Sequence, residues 1–260
     1  MTAKNKDIPS ELAAHFKALR LPTMRERFAQ HAEEARKEDM GYEAYLLALC
    51  RDECDMRQHK RIERLLRSSR IPLEKTLEAL DLKRFGRKIT MQVQAQLDGG
   101  FIDRRENILA FGNPGSGKTH LLCAIGQALI QAGRPVYFTP CSLLVQQLLR
   151  SKQELKLDRH LNRLAKYDAI IIDDIGYVQH NREEMEVLFT LLAERYERGS
   201  ILLTSNLPFS KWEKIFKDPM TTAAAIDRLI HHSVILELNI KSYRMEHAQQ
   251  DRKGKAKDNK

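Results

Sequence analysis

The chain has little of several things that would narrow its class at once. Its 260 residues hold four cysteines, Cys50, Cys54, Cys123 and Cys141, too few and too scattered for a disulfide scaffold. Cys50 and Cys54 stand one helical turn apart with His59 nearby, but no second ligand pair follows at a zinc-finger spacing, so metal binding is not expected there. No apolar run approaches the ~18–20 residues that a membrane helix needs. The opening MTAKNKDIPSEL has no apolar signal-peptide core, so a cytoplasmic chain with no membrane partner is expected. What is present, 42% hydrophobic and 30% charged residues, is the balance of a globular chain rather than a disordered one. The length suits one ordinary domain with a smaller appendage, or one large domain.

Charge is the first positive signal. The formal net charge is +9, and it is unevenly placed. Residues 1–55 carry 9 basic and 11 acidic side chains, whereas residues 56–90 carry 11 basic and 4 acidic. The last nine residues, RKGKAKDNK, hold five Lys or Arg. A run of this kind is often only a solvated helix face. Here Arg57, Lys60, Arg61, Arg64 and Arg67 recur at three- and four-residue steps, so they line one side of a helix whose other side holds Ile62, Leu65 and Leu66. Such a stripe can follow a phosphate backbone, with affinity supplied by counterion release. Few aromatics are interleaved, so stacking on single-stranded bases is not indicated.

The hydrophobic pattern divides the chain. Up to about Leu80 apolar residues follow helical periods: Leu12, Phe16 and Leu19 in one set, Tyr42, Tyr45, Leu46, Leu49 and Cys50 in another. Pro22 and Pro72 stand where helices start or stop. After about Asn107 short β-type runs alternate with helical stretches. NILAFG (107–112), PVYFTP (135–140), DAIIIDD (168–174), SILLTSN (200–206) and SVILELN (233–239) read as strands; Lys118–Gln131 and Arg182–Arg198 read as helices. The alternation predicts parallel βαβ units, with strands buried on both faces. The expected organisation is a helical domain over 1–80, an α/β domain over 81–245 and a basic, disordered tail over 246–260.

Gly112-Asn113-Pro114-Gly115-Ser116-Gly117-Lys118-Thr119 fits G-x-x-x-x-G-K-[ST] between a strand and a helix. Glycines let the backbone wrap phosphate oxygens, Lys118 reaches the β and γ phosphates, and the Thr119 hydroxyl holds Mg²⁺. The helix N-terminus adds a positive dipole end. Ala169-Ile170-Ile171-Ile172-Asp173-Asp174 is an apolar strand ending in two acids. Asp173 is placed to hold Mg²⁺ and Asp174 to orient or deprotonate the attacking water. A metal between them makes two adjacent carboxylates tolerable. Asn206, at the tip of another strand, either positions that water or forms a turn before Pro208. Arg228, beside Asp227, is either a surface ion pair or an arginine finger that reaches a neighbour's nucleotide.

GNPGSGKTHL, AIIIDDIGY (169–177), TSNLPFSKWEKIF (204–216) and AAAIDRLIHHSVILELNIKSYR (223–244) together resemble the IstB-type helper ATPases of insertion sequences that pair an IstA transposase with an IstB partner. That group is AAA+ and similar to DnaC-type helicase loaders. The resemblance covers about residues 10–248. It implies an AAA+ P-loop core with a parallel five-stranded sheet, in which the sensor strand lies between the Walker A and Walker B strands. It also implies ATP with Mg²⁺, assembly of the chain with itself into a ring or helix on double-stranded DNA, DNA deformation, target-site selection and stimulation of an IstA-type transposase. On this chain, Gly112 to Thr119 with His120 is the nucleotide loop, Asp173 and Asp174 the acids, Asn206 sensor 1 and Arg228 the finger. Arg244 is a second sensor arginine in the same scheme. The second acid is usually Glu; Asp174 is one methylene shorter. The alternatives are a DnaC-like loader of a replicative helicase and a small-molecule P-loop kinase. The kinase would want an acceptor pocket and an arginine-bearing lid, neither of which is visible in the sequence.

Overall fold

The computed structural model describes residues 7–176, 182–212, 219–240 and 242–243. Arg244 and the tail lie outside the described residues. The chain divides into two compact units, Met1–Arg64 and Leu65–Lys260. The division falls before residue 80 because the segment after it belongs to the second unit. Gln127 Nε2 donates to the Pro72 carbonyl at 3.0 Å, and Ile71 is buried.

The first unit is helical: α1 (Ile8–Ala18), α2 (Pro22–Lys37) and the start of α3 (Tyr42–Ser69). α2 begins at Pro22 with no capping side chain of its own. Its orphan first-turn donors are met from α3, where buried Glu53 accepts from Thr23 N at 2.8 Å and Met24 N at 3.1 Å. Arg57 holds Glu53 in place through Nε at 2.8 Å and also donates to the Arg20 carbonyl. The first residue of the basic stripe is therefore a structural clamp in this unit. Leu49 is buried, but Tyr42 and Leu46, in the same helical set, face solvent. Three helices enclose too little volume to cover every apolar position.

The second unit is a five-stranded parallel sheet in the order β2-β3-β4-β1-β5. Its strands are β1 (Asn107–Gly112), β2 (Val136–Pro140), β3 (Ala169–Asp173), β4 (Ser200–Ser205) and β5 (Ser233–Leu238). Short helices α4 (Gly86–Gln94) and α5 (Gly100–Asp103) lead into it. Connections run through α6 (Lys118–Gln131), α7 (Cys141–Gln153), α8 (Leu157–Leu164), α9 (Arg182–Arg195) and α10 (Pro219–Ile230). Ile108, Leu109, Ile170, Ile171, Leu202 and Leu203 are fully buried, as a sheet covered on both faces requires. β4 lies between β1 and β3, so the strand ending near Asn206 separates the phosphate-loop strand from the acidic strand.

Arg195 closes the far end of the sheet. It is buried, and donates to the carbonyls of Leu164, Tyr167, Asp168 and Ser200 at 3.0–3.2 Å. Burial brings its pKa down to about 10. The four carbonyls sit near where the chain enters β3 and β4, so one side chain ties the approaches to both strands together.

Candidate functional site: a phosphate loop and its acidic partner strand

Parallel strands bring their C-terminal ends to one edge of the sheet, and the predicted phosphate loop and the two predicted acids meet there. β1 runs into the loop 112–117, and α6 starts at Lys118. A Cβ at Gly112 would strike the Leu238 carbonyl, so β5 excludes any larger residue. Gly115 takes φ +80°, which an L side chain rarely adopts, and its Cβ would strike Ser242 Oγ. Asn113 and Pro114 are exposed at the tip, while Ser116 is buried with its hydroxyl unpartnered. Lys118 Nζ folds back on the loop, donating to Gly112 O at 2.8 Å and Asn113 O at 3.0 Å. Its charge is thus held where phosphate oxygens would be cradled.

The acids sit opposite. Thr119 Oγ1 donates to Asp173 Oδ1 at 2.7 Å. Thr204 on β4 donates to the same oxygen at 2.7 Å and accepts from Asp174 N at 2.7 Å. One hydroxyl therefore positions both acids. The hydroxyl of Thr119 and the carboxylate of Asp173 form an all-oxygen donor pair that fits a hard divalent cation such as Mg²⁺. Asp174 has φ 64°, a left-handed conformation that Asp tolerates better than most residues. Partial burial and the negative charge of Asp173 raise its pKa above the usual carboxylate value, against a lowering pull from Lys118. Asn206 Oδ1 is buried beside Gly176, with no hydrogen-bond partner among the described residues.

The raised pKa makes a test of Asp174. If its carboxylate activates water, hydrolysis should fall on acidification as that carboxylate is protonated, while ATP binding holds. Asp174→Asn should cut turnover by about 10²–10⁴ and leave binding intact. Because the folded-state pKa is raised, ionisation works against the fold: stability present below that pKa is lost as pH rises through it. Asp174→Asn should therefore melt higher than the parent at neutral pH, and the gap should close in acid. Thermal melts at both pH values check the sign.

Two predicted residues do not join the cluster. Arg228 lies on α10 with its guanidinium 4.8 Å from the Phe189 ring centre, and Nη1 donates to Ala224 O at 3.3 Å. It lines a cleft with Asn107, Ile201 and His232, at the beginnings of the strands rather than their ends. His120 turns from the phosphate loop toward the preceding segment, where Nε2 meets Thr76 O at 2.8 Å. Of the basic stripe, Lys60, Arg61, Arg64 and Arg67 are exposed on α3.

Sequence reasoning passed over a wall of the site. A cavity of about 270 Å³ opens beside Gly117, Lys118 and Thr119. Leu80, Phe85, Ile240 and Tyr243 line it, with Arg84 5.0 Å over the Tyr243 ring. An apolar slot with a few polar groups beside a phosphate loop suits a nucleotide base. The signal is present as Leu77, Leu80, Leu82 and Phe85 following Pro72, but the expected boundary at residue 80 cuts through that segment.

Residues 14–251 match the model of a family described as IstB-like ATP binding protein. An insertion sequence ATP-binding protein of Sinorhizobium fredii is 43% identical over 227 residues, covering 87% of this chain and 76% of that protein. Among solved structures, AMPPCP-bound DnaA from Aquifex aeolicus superposes with a TM-score of 0.56 at 19% identity, over 66% of this chain and 52% of that one. The DnaC helicase loader superposes with a TM-score of 0.51 at 17% identity, over 59% of this chain and 89% of that one. At such identities the two structures speak for the fold alone.

Proposed function

The chain belongs to the IstB-like ATP binding protein family, and from that premise we propose that it is an ATP-driven helper of DNA transposition. It has the AAA+ fold and is an ATPase of that group. The observation that carries the reading is the Lys118 ammonium held in its glycine loop beside the hydrogen-bonded set Thr119, Asp173 and Thr204, an arrangement suited to a triphosphate, in a family whose relatives are insertion sequence proteins. Thr119 and Asp173 would hold Mg²⁺, which would supply neutralisation of phosphate charge. Lys118 and the loop N–H groups grip the phosphates, Asp174 accepts a proton from the attacking water, and Asn206 orients that water.

ATP-loaded subunits assemble head to tail, which builds a ring or an open helix rather than a closed dimer. Duplex DNA is held by its phosphates through Lys60, Arg61, Arg64 and Arg67, exposed on α3. Bending a duplex costs several kcal/mol, which many subunits share. Hydrolysis then remodels the assembly, and an IstA-type transposase responds to it at the selected target. The chain works in the cytoplasm, where that DNA is; no helix among the described residues is long and apolar enough to cross a membrane.

Anisotropy on a duplex of arbitrary sequence, with ATP, ADP or no nucleotide, tests this directly. Binding should tighten about tenfold or more with ATP and weaken steeply with salt, log K falling by roughly 0.9 per neutralised phosphate for each log unit of salt. Equal binding without nucleotide would sink the reading. A preference for single strands would favour a helicase loader instead.

A further inference from the structure

At the end of the sheet away from the phosphate loop, where β2 begins and the chain enters β3, the second unit carries a polar concavity of about 410 Å³. Its charge is unbalanced. Arg70, Arg150 and Arg163 line it together with Ser151, His160 and Tyr137. The carboxylate on its wall, Glu154, is shared between Arg150 Nε and Lys156 Nζ, each at 2.9 Å. Arg70 and Arg163 have no ion pair among the described residues. Arg70 instead lies 5.7 Å from the centre of the Tyr137 ring.

Arg163 is held by a relay that supplies no negative charge. Its Nη2 donates to His160 Nε2 at 3.0 Å, so that nitrogen is the acceptor and the imidazole is neutral. The other nitrogen, Nδ1, then carries the proton and donates to Ser151 Oγ at 2.7 Å, and Ser151 donates onward to Gln147 O at 2.8 Å. Burial and the neighbouring Arg163 lower the His160 pKa, in keeping with that neutral state. A guanidinium is thus fixed in position by a partner that leaves its charge uncompensated. Arg163 so fixed, Arg70 against Tyr137 and Arg150 beside them, with Ser151 and Tyr137 on the same lining, offer the donor forks by which arginine takes phosphate oxygens.

We propose that this concavity is a second phosphate-recognition site, independent of the nucleotide site, which takes a phosphodiester group of bound nucleic acid. The identity of the phosphate donor rests on the duplex-binding reading above; the recognition of phosphate does not. The double variant Arg70→Gln with Arg163→Gln keeps hydrogen-bond donors but removes both charges. In the full chain it should weaken duplex binding about tenfold or more and flatten the salt slope by roughly 0.9 for each phosphate no longer neutralised. Basal ATP hydrolysis should be unchanged, since these residues are at the other end of the strands from Lys118 and Asp173. Glu154→Gln should act in the opposite sense and tighten the duplex, an effect that misfolding cannot mimic.

A second measurement separates the sources of phosphate. In a Lys118→Ala background, which silences the phosphate loop, calorimetry with inorganic pyrophosphate should show weak binding that the added double variant removes. Loss of duplex affinity supports the site with nucleic acid as its occupant. Unchanged duplex affinity with loss of pyrophosphate binding supports it with a small phosphate ligand instead. A double variant that matches its parent in both measurements overturns the proposal. If the chain binds no duplex at all, the pyrophosphate arm still decides.

Discussion

Replacing Lys118 with alanine is expected to weaken ATP binding by about 10²–10³ and to abolish both hydrolysis and ATP-dependent assembly. The ammonium is the one strong positive charge inside the loop, within 2.8–3.0 Å of the Gly112 and Asn113 carbonyls. Bound triphosphate would replace those carbonyls as its partner. Losing charge-assisted hydrogen bonds to the β and γ oxygens costs about 3–4 kcal/mol, which matches that loss of affinity. The fold should survive, because the core beneath the loop is Leu121, Leu122 and Ile125, none of which the substitution touches. Circular dichroism melts should therefore move little while nucleotide affinity collapses. Light scattering or sedimentation with ATP present supplies the decisive comparison. A variant that still assembles on adding ATP would show that assembly is driven from elsewhere, and the nucleotide-switch reading would fall. Lys118→Arg is the control for charge: it keeps the cation but not its reach, and should recover only part of the binding.

Much of this site was legible because its chemistry is local. The phosphate loop needs its glycines, lysine and threonine within eight consecutive residues, and the strand before and helix after are set by short apolar patterns. The acidic strand could be read the same way, since Ile170, Ile171 and Ile172 must be buried and the acids must stand at their end. The strand order itself came only with the family resemblance. The rest depended on contacts that periodicity does not encode. Thr204 was within a quoted motif, yet its hydroxyl matters because β4 happens to lie beside β3, close enough to serve Asp173 and Asp174 together. Leu80 and Phe85 look like helical-core residues until the segment is seen against the loop. Arg57 shares the spacing of Lys60 and Arg61, but a buried carboxylate one turn earlier turns it into a clamp for the start of α2. Spacing shows which residues share a helix face; it does not show what that face meets.

Arg228→Ala is the other large effect, and it asks whether a complete site exists within one chain. The guanidinium lies at the starts of β1 and β4, whereas Lys118, Thr119 and Asp173 gather at the strand ends. One subunit therefore cannot bring its own Arg228 to its own phosphates without rearranging α10. A neighbour in a head-to-tail assembly can present it. Leaving the Phe189 face would cost only about 0.5–1 kcal/mol at a partly exposed position, so the side chain is poised rather than locked. Arg228→Ala should bind ATP with parental affinity yet lose about 10³-fold or more in turnover, the usual worth of an arginine that neutralises charge in phosphoryl transfer. Mixing separates an action in trans from one in cis. Asp174→Asn subunits keep Arg228 but cannot activate water; Arg228→Ala subunits have the reverse defect. If the finger acts in trans, an equal mixture of these two nearly inactive proteins should regain roughly a quarter of parental turnover. That is the share of interfaces in random head-to-tail assortment that pair an intact site with an intact arginine. If Arg228 acts within its own chain, or serves only to pack α10 against α9, the mixture stays as inactive as its components.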